Sequence, residues 1–172
     1  MQFLLLGCLL PAFSALALSA HWNPVRTGKQ WMTAALVVEL ADIAFWRSKT
    51  GVDGLARHPW LAVVEGVCLL AGGTGVWSFL VSGPPRERSG TPYPWRMFLA
   101  ASAMWFIWVM AYLVGFSNTT WYPAYARQSG LSVSADQQIA TGLLWVGAGL
   151  TFLPVIFWCL WRWLAPEKTG DA

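Results

Sequence analysis

Residues 120–164 read TWYPAYARQSGLSVSADQQIATGLLWVGAGLTFLPVIFWCLWRWL, and this stretch decides the fold class. A polar, aromatic-rich segment closes on Asp136-Gln137-Gln138, and a long apolar run follows at once. Across residues 139–161, tryptophan and cysteine aside, the polar side chains are Thr141 and Thr151. A helix of that length crosses a hydrocarbon core of ~30 Å at 1.5 Å per residue. Upstream the same theme recurs, with apolar segments separated by short, polar, proline-marked loops. The sequence therefore predicts an all-α integral membrane protein, with about five transmembrane helices in one bundle. No internal repeat divides it, so residues 1–172 read as one polytopic domain with spans at about 1–20, 31–46, 59–82, 97–116 and 139–164.

Composition agrees. Hydrophobic residues make up 56% of the chain and charged residues 11%, against roughly 25% charged in a soluble domain. Thirteen tryptophans fit a chain with two membrane–water boundaries to occupy, because indole rings favour that boundary. A formal charge of +3, without a basic run or recognition motif, gives no support for nucleic acid as a partner. Cys8, Cys68 and Cys159 each stand alone in an apolar segment. An odd number at such depth, with no C-x-x-C pair, argues against a disulfide framework and against a zinc or redox site.

Two segments need separate argument. Residues 1–20 lack the positively charged start of a signal peptide and read as a first span. Residues 31–46 (WMTAALVVELADIAFW) carry Glu39 and Asp42 and cover only ~24 Å of helix. Their Leu, Val, Ile and Phe residues favour insertion by roughly 2–4 kcal/mol, whereas two ionised acids oppose it by roughly 5–7. This helix is expected to insert only with partners or with its carboxyls protonated. Positions 39 and 42 share a helix face, which should point into the bundle. Five spans group Arg26, Lys29, Arg86, Arg88, Arg96, Arg162 and Lys168 on one side, and Arg47, Lys49, Arg57 and Arg127 on the other. The larger group is read as cytoplasmic, which places the N-terminus outside and the C-terminus inside.

Chemistry has few footholds. His21 and His58 fall at opposite membrane faces, so they cannot share a metal. A soft cuprous site from Cys8, Cys68 and Met110 is the metal candidate, set against plain packing of sulfur side chains. Glu39, Asp42 and Glu65 are intramembrane carboxylates of the kind that mark proton pathways or polar helix contacts. As glue they would pair across helices, or Arg47 would turn back to Asp42 as counter-ion. Asp136 can cap the last helix or favourably charge its N-terminus. No nucleophile elbow, catalytic triad spacing or phosphate-binding glycine loop is present in the sequence, so no enzymatic activity is expected.

In the last third, Tyr122-Pro123-x-Tyr125, Asp136-Gln137-Gln138 and Gly142-Leu143-Leu144-Trp145-Val146 together resemble the C-terminal end of the CtaG-type polytopic cytochrome c oxidase assembly proteins. Trp77 with Gly83-Pro84-Pro85-Arg86, and Gln2-Phe3-Leu4-Leu5 with Pro11, resemble earlier parts of that family. The resemblance implies a role in maturing a copper-containing respiratory oxidase in a bacterial cytoplasmic membrane, with lipid and a haem–copper oxidase as partners. It also implies intramembrane histidines as copper ligands. The comparable positions here hold Phe3, Arg47 and Gly66. The leading functional expectation is thus a CtaG-like assembly factor, with copper handling open. A structural accessory subunit of an energy-converting membrane complex is the alternative, and a proton-coupled carrier using the three carboxylates is the second.

Overall fold

The computed structural model describes residues 8–19, 29–81, 93–117, 120–121 and 132–165. Among these residues the chain forms six α-helices: α1 (Leu10–Ser19), α2 (Lys29–Arg47), α3 (Lys49–Arg57), α4 (Leu61–Val81), α5 (Tyr93–Gly115) and α6 (Val133–Leu164). Three of them, α4, α5 and α6, are long and apolar enough to cross a membrane. The expectation of five spans differs from this at residues 31–46. The helix at residues 31–46 does form, as α2, but Lys29, Glu39, Asp42 and Arg47 leave it too charged to stand with the other three. Of the first segment, only α1 and the turn before it lie within the described residues.

Helix boundaries also shift from the sequence reading, for local reasons. The polar connector at 47–58 contains α3, capped by Ser48, whose side chain accepts a hydrogen bond from the Gly51 N–H at 3.2 Å. Helix α5 begins at Tyr93 rather than 97, with Pro94 in the first turn, where its missing N–H costs nothing. Helix α6 begins at Val133 rather than 139. Ser132 supplies the N-cap, accepting from Ala135 N–H at 3.2 Å, so Asp136 is not the cap. Asp136 instead sits in the first helical turn, where a carboxylate complements the macrodipole. At 1.5 Å per residue, the 32 residues of α6 reach ~48 Å, more than a bilayer core requires.

Helix packing follows a consistent inner face. On α2, Met32, Leu36, Glu39, Ile43 and Trp46 are buried, at steps of four, three, four and three. On α4 the buried set is Glu65, Leu69, Gly73, Val76, Trp77 and Leu80. Helix α4 packs against α1 and α2, while α5 and α6 form an antiparallel hairpin. Ring pairs fix the hairpin's register, with Tyr93 on Trp158 at 5.8 Å near one end and Trp108 on Trp145 at 5.8 Å in the middle. Trp77 stacks on Phe152 at 5.4 Å and 19°, joining α4 to that hairpin. Outside this core the surface is itself apolar, with Trp105, Phe116, Leu150, Phe157 and Trp161 all exposed. Helices that are hydrophobic all round belong in lipid.

Candidate functional site

The helices carry five buried polar side chains among the described residues: Glu39, Glu65, Arg96, Gln137 and Thr141. Because a buried polar group is costly unless satisfied, these positions mark where the bundle does more than pack.

The first group lies between α2 and α4. Glu39 and Asp42 do share the inner side of α2, as their spacing requires, but their surroundings diverge. Asp42 is half-buried, and its Oδ1 accepts a hydrogen bond from Trp46 Nε1 at 2.9 Å, one turn on. Glu39 is 5% exposed, and no donor among the described residues reaches either of its oxygens. Its carboxyl lies against Gly72, where a Cβ would overlap Oε2 and stand 3.2 Å from Cδ. A glycine is what lets α4 pass this side chain so closely. Arg47 does not return to Asp42. Its Nη2 donates to Glu65 Oε1, forming an ion pair between the end of α2 and the start of α4. Glu65 is buried, with its side chain 4% exposed, and Arg47 is 28% exposed. Two of the positions at which the resemblance places family histidines, 47 and 66, thus lie at this ion pair, the first within it and the second next to it.

The second group holds α5 to α6. Gln137 Nε2 donates to the Val114 carbonyl in the last turn of α5, which also accepts from the Ser117 N–H at 3.4 Å, and Gln137 Oε1 accepts from the Trp121 N–H at 3.4 Å. One buried amide thereby bonds two backbone groups, one in the last turn of α5 and one beyond it. One turn further, Thr141 meets Gly115, where a Cβ would fall 2.6 Å from its Oγ1. Trp108 and Trp145 then exchange hydrogen bonds: each indole N–H reaches the other's backbone carbonyl, at 3.1 and 3.3 Å. Two positions of the sequence motif, Gln137 and Trp145, therefore lie along one helix–helix seam. Gln138 and Gly142 are exposed beside it and help line an open pocket with Gly115, Thr141 and Trp145. Tyr122, Pro123 and Tyr125 lie outside the described residues.

Cys8 is buried and lines a cavity with Glu39, whereas neither Cys68 nor Met110 lines it. Cys68 is half-buried on α4, five residues before Gly73 at that cavity, or roughly 7 Å along the helix. Among the described residues, no three His, Cys, Asp or Glu side chains stand close enough to hold a metal ion.

Two features escape a reading of the sequence. Arg96, counted there as a loop cation, is buried in the first turn of α5, in electrostatic reach of Cys159 and Tyr93. Its position three residues before Leu99, on the inner stripe, is the signal that could have found it. Thr141 looks like one stray polar residue in an apolar run, yet it marks the α5–α6 contact.

Comparison with curated proteins returned no match, and comparison with solved structures returned none either. A family model does match, that of the cytochrome c oxidase caa3 assembly factor, over residues 1–165. That span takes in the carboxylate-bearing helices, the α5–α6 seam and the motif positions at its start. The chain is a membrane protein that belongs to the cytochrome c oxidase caa3 assembly factor family.

Proposed function

We propose that the chain acts in a bacterial cytoplasmic membrane as a non-enzymatic assembly factor, promoting maturation of a haem–copper oxidase through protein contacts rather than by passing copper through Cys8, Cys68 and Met110. The observation that carries this reading is the family match over nearly the whole chain. It is supported by how the polar residues are used: Arg47 and Glu65 bind each other, and Gln137 binds backbone. An oxidase subunit would meet the apolar outer face of the bundle, where Trp105, Leu150 and Trp161 are exposed. The proposed orientation has the N-terminus outside and the C-terminus cytoplasmic. The antiparallel hairpin supports it by bringing Arg96 and Arg162 to one end, the end assigned to the cytoplasm on basic residues.

Copper loading tests the contact mechanism. Protein purified in mild detergent and loaded with cuprous ion under reducing conditions should hold well under one equivalent, and Cys8→Ser/Cys68→Ser should hold no less. Near-stoichiometric copper that disappears in the double variant would replace the contact mechanism with metal delivery. The accessory-subunit alternative predicts something different again, namely that the chain stays with the mature complex through purification.

A further inference from the structure

Among the described residues, Glu39 is the one buried carboxylate to which the assembly reading gives no task. It takes the place of an apolar residue on the stripe Met32, Leu36, Glu39, Ile43, Trp46, and it is 5% exposed. Neither oxygen has a hydrogen-bond partner among the described residues. It opens on an internal cavity with about 20 Å³ available to the centre of a water molecule. Cys8 ahead of α1, Leu36 and Ile43 of α2, Trp77 of α4, Ile107 of α5 and Phe152 of α6 close that space around it. Helices α2, α4, α5 and α6 thus all line the cavity that this carboxyl faces.

The volume and chemistry of the cavity restrict its occupant. One water needs ~10–15 Å³ on this measure and two to four polar partners, so the cavity takes one water and not a chain of them. The side chains of the lining that can hydrogen-bond are the Glu39 carboxyl, the Cys8 thiol and the Trp77 indole. A hard cation would find too few oxygens there.

Charge decides the rest. Among the described residues no cation lines the cavity: α4, α5 and α6 present Gly73, Val76, Trp77, Ala103, Ile107 and Phe152 to it, and the turn before α1 presents Cys8. On α2 itself, Asp42 is of the same sign as an ionised Glu39 and is bonded to Trp46. Arg47 is turned to Glu65. An ionised carboxylate here would stand uncompensated in an apolar enclosure, which is among the most costly arrangements available to a folded chain.

We propose that Glu39 is a membrane-buried proton-binding site, its carboxyl held protonated and joined to the Cys8 thiol by a single water in the cavity between them. A neutral carboxyl donates through its O–H and accepts through its carbonyl oxygen, so one water can satisfy it where an ion could not be satisfied. The same site accounts for α2 docking despite its charges, because protonation removes one of the two acids that oppose insertion.

Infrared difference spectroscopy on the full chain in detergent at neutral pH tests this. Wild type minus Glu39→Gln should show the carbonyl stretch of a protonated carboxylic acid, moving to lower frequency in heavy water. Cys8→Ala should keep that band but shift its position, since the water loses one partner. Absence of the band, or its persistence in Glu39→Gln, would overturn the protonated site. A band unmoved in Cys8→Ala would overturn the water link. Should Glu39→Gln fail to fold, wild type labelled at the glutamate side-chain carboxyl carbon gives the same reading by NMR. One of the four glutamate resonances should then remain in the protonated range at neutral pH, and four ionised resonances would overturn the proposal.

Discussion

Arg47→Ala is expected to destabilise the protein by about 3 kcal/mol, the low end of the range for removing one partner of a buried ion pair. The low end applies because Arg47 is 28% exposed, so water screens part of the interaction. The cost falls on Glu65, whose side chain is 4% exposed and would be left without its cation at the start of α4. For a chain of this size that loss corresponds to a fall of roughly 6–12 °C in Tm. Thermal unfolding in detergent, followed by tryptophan fluorescence, measures it. Arg47→Met combined with Glu65→Leu should recover most of the loss, since apolar residues of similar volume often replace a buried pair without penalty. If Arg47→Ala unfolds with wild type, the pair does not hold α2 to α4.

Gln137→Leu is expected to cost about 1–2 kcal/mol by removing the side-chain donor from the Val114 carbonyl, which keeps the bond from the Ser117 N–H. A second bond, from Trp121 N–H, is lost with it. Because both partners are backbone groups at and beyond the end of α5, the damage should be local. Hydrogen exchange should quicken at the start of α6 and the end of α5, while the Trp108–Trp145 region, eight residues along α6, stays protected. Gln137→Glu separates the two bonds: a carboxylate can accept from Trp121 N–H but cannot donate to Val114. It should therefore open the seam nearly as far as leucine does. Uniform exchange in both variants would mean that Gln137 does not clamp the hairpin.

These two residues also show how far the sequence can be read. Gln137 stands in a motif legible in the sequence alone, but its polarity suggests a loop and so sets the helix start six residues too late. Ser132 is the overlooked signal, being a good N-cap three residues ahead of the Ala135 N–H it binds. Glu39 falls on the inner face of α2 as expected, because helical spacing alone determines that face. The partner of Arg47 cannot be read in the same way. Arg47 has two acids as candidates, Asp42 on its own helix and Glu65 eighteen residues away. Only the packing of α4 against α2 decides between them. Asp42 is then served by Trp46, an indole that composition alone would assign to the membrane boundary. The apolar spans are legible from hydrophobic run length. The helix pairing, and with it every contact between helices, is not.

The most direct test of the assembly role is the amount of assembled haem–copper oxidase in membranes of a bacterial host from which this chain has been deleted. Haem absorbance of solubilised membranes gives that amount, with oxidase subunit levels measured alongside. The account predicts that assembled oxidase falls severalfold while subunit synthesis continues, and that the wild-type chain restores it. Unchanged oxidase in the deleted host would contradict the assembly role.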